Sequence, residues 1–176
     1  RLHTEISTLF YDVQLDPDSD ILVLTGAGRA FSAGGDFEQM KKANAGEAAN
    51  TTVIESKKMI FGLLDLEKPI IAKVNGHAMG LGATLALFCD VIFAAEHALI
   101  ADPHVSVGIV AGDGGAIIWP QLIGYARAKH YLMTGDTING KEAANIGLVN
   151  FALPAEELDQ AVDAYADKLA AGAQEA

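Results

Sequence analysis

The chain's 176 residues include 12 lysines and arginines against 23 aspartates and glutamates, a formal charge of −11. That length suits one domain with a sizeable core, and 51% apolar with 20% charged residues is a globular mix, not a disordered one. The acidic balance argues against a nucleic-acid or anionic-membrane partner, since both recruit by Lys/Arg density, and the lone Cys89 excludes an intrachain disulfide.

In chain order, Leu2, Ile6, Leu9, Phe10 and Val13 recur at helical spacing, and the turn cluster Asp16 to Asp20 ends that helix. Ile21 to Thr25 is a strand-length apolar run. A charged helix is expected from Asp36, fading through the small, polar residues 43–52, and another around Ile54 to Leu64, stopped before Pro69. Ile70 to Val74 reads as a second strand, Leu81 to Cys89 as a helix, and Val91 to Ala94 and Ala98 to Ala101 as two further strands. Helical patterns follow around Ala116 to Trp119, Ala126 to Met133 and Lys141 to Ile146. Leu148 to Phe151 is expected as a last strand and Glu156 to Ala171 as a last helix. Strands alternating with helices predict an α/β fold without an internal repeat of fixed period.

The longest uncharged stretch of the apolar middle, Val74 to Cys89, has 16 residues broken by Asn75, His77 and three glycines, too short for a membrane helix. The start lacks an unbroken apolar segment, so neither a signal peptide nor a membrane partner is expected, and a cytoplasmic location is. The unpaired thiol fits a reducing compartment.

Glycine is the most informative residue type. Gly26, Gly28, Gly34 and Gly35 form one cluster, Gly76, Gly80 and Gly82 a second, and Gly108, Gly112, Gly114 and Gly115 a third, each near the end of an apolar segment. Such turns aim backbone N–H groups at a negative atom. Phosphate fingerprints fail on spacing: Phe31 stands where a dinucleotide motif needs its third glycine, and no G-x-x-x-x-G-K-[ST] occurs. A serine nucleophile elbow fails at Ala30, and no metal-ligand spacing is present, so no metal site is expected. Two such turns after two strands can instead supply one N–H each to a single oxyanion.

Leu24-Thr25-Gly26-Ala27-Gly28-Arg29-Ala30-Phe31-Ser32-Ala33-Gly34-Gly35-Asp36 and the stretch from Lys68-Pro69 through Asn75-Gly76-His77-Ala78-Met79-Gly80-Leu81-Gly82 resemble the two signatures of the crotonase (enoyl-CoA hydratase/isomerase) superfamily. Leu132 to Asp136 and Ala143 to Val149 resemble later blocks of the same family, in order along the chain. The resemblance implies a spiral of ββα units forming one core domain over residues 1–176, without the family's first strands and its C-terminal trimerisation helices. It implies an acyl-CoA substrate, with coenzyme A as part of that substrate and no separate cofactor, and a homotrimer or hexamer. By position, the thioester oxygen would be held by the N–H groups of Gly35 and Leu81. Ala33, Gly34, Asp36, Phe37, Gly80 and Val107 would lie along the substrate, and Thr84 would face the acyl group. The RNA binding known in the family's wider range fits poorly with the charge.

The resemblance breaks where the hydratases carry two glutamates. Thr84 stands at one position and His104, in Asp102-Pro103-His104, at the other. Threonine is a poor acid or base near neutral pH, whereas histidine is a good one. Asp113 follows nine residues after His104 and is expected to orient it, a pair similar to that of the superfamily's β-diketone hydrolases, which cleave carbon–carbon bonds with water. Two other functions therefore stand beside hydration or isomerisation: carbon–carbon bond hydrolysis, and acyl-CoA binding without turnover. Plainer readings stand beside these as well. Asp113 is a good helix N-cap, His104 a packed histidine, His77 a hydrogen-bonded turn residue and Arg29 a solvated loop cation rather than a phosphate ligand. His3, His97 and His130 read as surface positions and Cys89 as buried.

Overall fold

The computed structural model describes residues 2–35 and 52–172. Its helices are α1 (Leu2–Leu15), α2 (Thr52–Leu64), α3 (Leu81–Leu87), α4 (Gly115–Thr134), α5 (Gly140–Asn145) and α6 (Ala155–Ala170). Its strands are β1 (Leu22–Thr25), β2 (Ala30–Ser32), β3 (Ile70–Val74), β4 (His77–Met79), β5 (Val91–Ala95), β6 (Leu99–Ala101), β7 (Ile138–Asn139) and β8 (Phe151–Leu153). A 3-10 helix covers Pro103–Val107. Among the described residues no helix is long and apolar enough to cross a membrane.

The strands form two sheets, ordered β1-β3-β5-β8 and β2-β4-β6-β7. Each strand pair, β1/β2, β3/β4 and β5/β6, gives one strand to each sheet, which is the expected spiral of ββα units. The repeat leaves no period in the sequence because the segments between the pairs differ in length. The first sheet is parallel throughout, with Val23 beside Ile71 and Ala72 beside Ile92. A parallel strand covered on both faces reads as an unbroken apolar run, and β3 does so, only Lys73 being less than buried. The short strands β2 and β4 lie in segments read as glycine-rich turns, and β7 in a segment given no element.

Polar side chains fasten the turns that the site depends on. Asn75 Oδ1 accepts from Gly26 N–H at 3.1 Å, and its Nδ2 donates to Gly28 O at 3.0 Å, so the loop after β3 holds the loop after β1. The Lys68 ammonium donates to Val13 O and Asp16 O at 2.7 and 2.5 Å, tying the end of α1 to the entry of β3. Phe10 of α1 is buried with Met59 and Leu63 of α2.

Two boundaries differ from expectation. The last strand begins at Phe151, not Leu148. Leu148 N–H bonds to Ala143 O at 2.8 Å and Gly147 N–H to Ala144 O at 3.1 Å, with Gly147 at φ +82°: a Schellman closure of α5, in which Leu148 packs as the apolar residue past the cap. The two patterns Ala116 to Trp119 and Ala126 to Met133 fall within α4, which is broken at Gly124 by a non-helical backbone (φ 77°, ψ 158°). The helix expected from Asp36 lies outside the described residues.

Candidate active site

Three parallel strands of the second sheet end side by side. Ser32 of β2 is in register with Ala78 of β4, and Met79 of β4 with Ala101 of β6. Residues 33–35, 80–81 and 102–104 therefore leave the sheet along one edge, the carboxyl edge, where α/β folds gather their ligand groups. Gly80 N–H bonds to Ala101 O at 3.0 Å, which fixes the second of these segments against the third. They open into one cavity of about 860 Å³, bounded by Ala33, Gly34, Gly35, Gly80, Leu81, Val107, His104 and Asp113. The rest of its lining is largely apolar and includes Ile60, Phe61 and Leu64 of α2, Phe88 and Ile117.

Two features put backbone at the cavity surface. Leu81 is the first residue of α3, and the first N–H groups of a helix have no intrahelical acceptor. Gly80 before it has φ +54°, and a Cβ there would sit 3.6 Å from Cε1 of His104, so the glycine lets the chain turn with the imidazole against it.

The side-chain half of the site is a chain of four groups. Asp102 Oδ1 hydrogen-bonds to Nδ1 of His104. His104 Nε2 lies 3.5 Å from Asp113 Oδ2. Asp113 Oδ1 in turn accepts from Thr84 Oγ1 at 3.2 Å and from Gly115 N–H at 3.3 Å. The hydrogen bond from Asp102 pushes the His104 pKa above its ordinary value; burial opposes this, and the charges of Asp113 and Asp102 add to the rise. Burial is also the main reason the Asp113 carboxyl is pushed up, against the pull of His104. A weak base made stronger beside a weak acid made weaker is an arrangement suited to moving one proton between them.

A family model for enoyl-CoA hydratase/isomerase matches residues 1–176. The chain belongs to the enoyl-CoA hydratase/isomerase family. It is 42% identical over 156 residues to a crotonyl-CoA hydratase of Syntrophomonas wolfei, covering 88% of this chain and 59% of that one. It is 37% identical over 164 residues to a short-chain-enoyl-CoA hydratase of Clostridium acetobutylicum, covering 91% and 62%. The crystal structure of an enoyl-CoA hydratase/isomerase from Mycobacterium paratuberculosis superimposes with a TM-score of 0.91 at 39% identity, over 99% of this chain and 70% of that one. The chain thus spans about three fifths of the length of these two relatives.

Against the expectations for a member of the enoyl-CoA hydratase/isomerase family, the cavity brings together Ala33, Gly34, Gly35, Gly80, Leu81, His104, Val107 and Asp113. Asp36 and Phe37 lie outside the described residues. Thr84 is corrected: it is fully buried and does not bound the cavity, because the turn at Gly114 packs over its methyl group and its hydroxyl is turned to Asp113. Asp113 lies against His104 Nε2, and a second carboxylate, Asp102, hydrogen-bonds the other ring nitrogen. That residue was missed as a partner, although an aspartate before Pro103 is a recognisable N-cap signal and Asp102 does cap the 3-10 helix, accepting from His104 N–H. His3 borders the cavity instead of lying plainly at the surface. His77 is exposed and its Nδ1 accepts from Leu99 N–H at 3.0 Å; Arg29, His97 and His130 are exposed and Cys89 is buried. Asp102, His104 and Asp113 each bring a ligand atom within 4.8 Å of the others. Within this cluster Asp102 Oδ1 and His104 Nδ1 are hydrogen-bonded to one another.

Proposed function

We propose that this protein acts on an acyl-CoA thioester, polarising the thioester carbonyl between the N–H groups of Gly35 and Leu81 and moving protons with His104 and Asp113. The observation that carries this reading is the single cavity bounded by those two backbone segments and by His104 and Asp113, whose Nε2 and Oδ2 atoms lie 3.5 Å apart. Charge that develops on the thioester oxygen meets fixed donors, the largest ordinary source of catalysis in such sites. Water adding to C3 of a 2-enoyl thioester gives up a proton to His104 Nε2. The carbanion at C2, delocalised onto the held oxygen, takes a proton from Asp113, whose burial keeps it protonated to higher pH than an open carboxyl. The apolar wall receives the acyl chain. An oligomer, trimer or hexamer, is part of the same reading, and sedimentation of the full-length protein tests it.

One observation favours a second reading: the imidazole of His104 meets the cavity beside those donors. The same pair can activate water against the ketone of a β-diketone or β-ketoacyl-CoA, breaking the carbon–carbon bond to give an acid and a ketone or shorter thioester. Mass spectrometry of a medium-chain 2-enoyl-CoA incubated with the full-length protein separates the two. Gain of one water is the expected result. No change in mass, with cleavage of a β-ketoacyl substrate into two fragments, puts the hydrolase first. Tight thioester binding without turnover of either class overturns both.

A further inference from the structure

We propose that Asp102 is the positioning residue of this site: its carboxylate holds the Nδ1–H of His104 so that the Nε2 lone pair faces Asp113 and the cavity. The proposal rests on the reading of His104 as the proton carrier given above.

The carboxylate is 1% exposed, and while Oδ1 serves His104, Oδ2 is buried with no hydrogen-bond partner among the described residues. An unsatisfied buried carboxylate oxygen lowers stability, so capping a five-residue 3-10 helix is a poor reason for it. Asparagine would cap that turn as well, and without a buried charge. What only the aspartate supplies is a negative acceptor at Nδ1. An imidazole so held keeps its proton on Nδ1 and its lone pair on Nε2, and the positive charge formed when Nε2 takes a proton is balanced at once.

The surroundings are shaped around this carboxylate. A Cβ at position 115 would fall 2.1 Å from Asp102 Oδ2, so the first turn of α4 closes over the acid only because Gly115 has no side chain. The same Gly115 donates its N–H to Asp113 Oδ1. One glycine thus packs against one of the acids flanking the ring and donates to the other. The titratable groups acting on that ring are Asp102 and Asp113, and Thr84 reaches it through Asp113.

The first experiment needs no substrate: the tautomer of His104 is read by 15N NMR of the imidazole nitrogens in the full-length protein, above its raised pKa. Protonated Nδ1 with a bare Nε2 is expected; a proton on Nε2, or a mixture, overturns the proposal even if the enzyme is active. The second uses Asp102→Asn, which keeps the cap and removes the charge. Expected are a fall in kcat of tenfold or more, little change in KM, and an acid limb of the kcat/KM profile moved to lower pH as His104 loses its anion. Asp102→Glu should recover part of the rate. An Asn variant with wild-type kcat and an unmoved acid limb reduces Asp102 to a cap. If no thioester is turned over, the function fails, while the tautomer and the His104 titration in Asp102→Asn still judge Asp102.

Discussion

To the cavity, residues 33–35 and 80–81 offer backbone, while His104 and Asp113 offer side chains, with Asp102 behind the imidazole. The backbone side depends on strand register and on turns that place an N–H, and many side chains are compatible with it. The other side depends on four particular residues from α3, the segment after β6 and the turn before α4, each in contact with the next. A fold can therefore keep the first and exchange the second. In this chain the carboxylate nearest Thr84 is supplied by Asp113 from 29 residues further on, with the threonine hydroxyl donating to it.

The sharpest way to break the comparison is to remove a side chain from one half and an N–H from the other. His104→Ala should lower kcat by about 10²–10⁴-fold while acyl-CoA affinity, measured by calorimetry, stays within a few fold. Retained turnover would make His104 a packing residue. Leu81→Pro removes an N–H at the first position of a helix, where proline is conformationally welcome. Losing one such donor costs about 2.7–4 kcal/mol of barrier, with Leu81→Ala as the control that keeps the N–H. Equal rates for the two variants would mean that Leu81 N–H does not hold the reacting oxygen.

Thr84→Val is a milder cut, nearly isosteric at a fully buried site. It leaves Asp113 Oδ1 with only the Gly115 N–H, and should cost about 1–3 kcal/mol of stability in denaturant melts. Because the lost bond favours the charged carboxylate, the Asp113 pKa should rise further, and kcat should fall by about tenfold, near 1.4 kcal/mol of barrier. A variant with unchanged rate and pH profile would separate Thr84 from the chemistry altogether.

The same contrast explains what could be read from the chain before its fold. The backbone half leaves its mark as glycine clusters, and the family resemblance they carry placed Gly34, Gly35, Gly80 and Leu81 along the substrate; all four bound the cavity. His104 was legible as a chemically capable residue in a glycine-rich segment. Its second carboxylate partner was not, because Asp102 lies two residues away and sequence separation does not tell which ring nitrogen a carboxylate meets. Thr84 was placed in the cavity by helix position alone, whereas the packing of Gly114 over its methyl group decides that it points elsewhere. The main strands were visible as apolar runs; β2, β4 and β7 exist only through their neighbours, and Leu148 and Val149 mimic a strand because a Schellman turn also buries apolar residues.

The smallest effect concerns stability, and its sign follows from the direction of the His104 shift. A histidine whose folded pKa is raised contributes stability that is fully present below its unfolded value of about 6.5, and loses it as pH rises through the folded value. The melting temperature of the wild type should therefore exceed that of His104→Gln most near pH 6, and the gap should narrow as pH rises. Asp113 complicates this, since its own raised pKa adds a cost that grows with pH in either protein. Placing Asp113→Asn in both proteins removes that titration and leaves Asp102 as the main cause of the shift. A gap that is flat with pH in this background would mean that the Asp102 carboxylate does not favour the imidazolium, and the side-chain half of the cavity would then be a packed cluster and not a charged one.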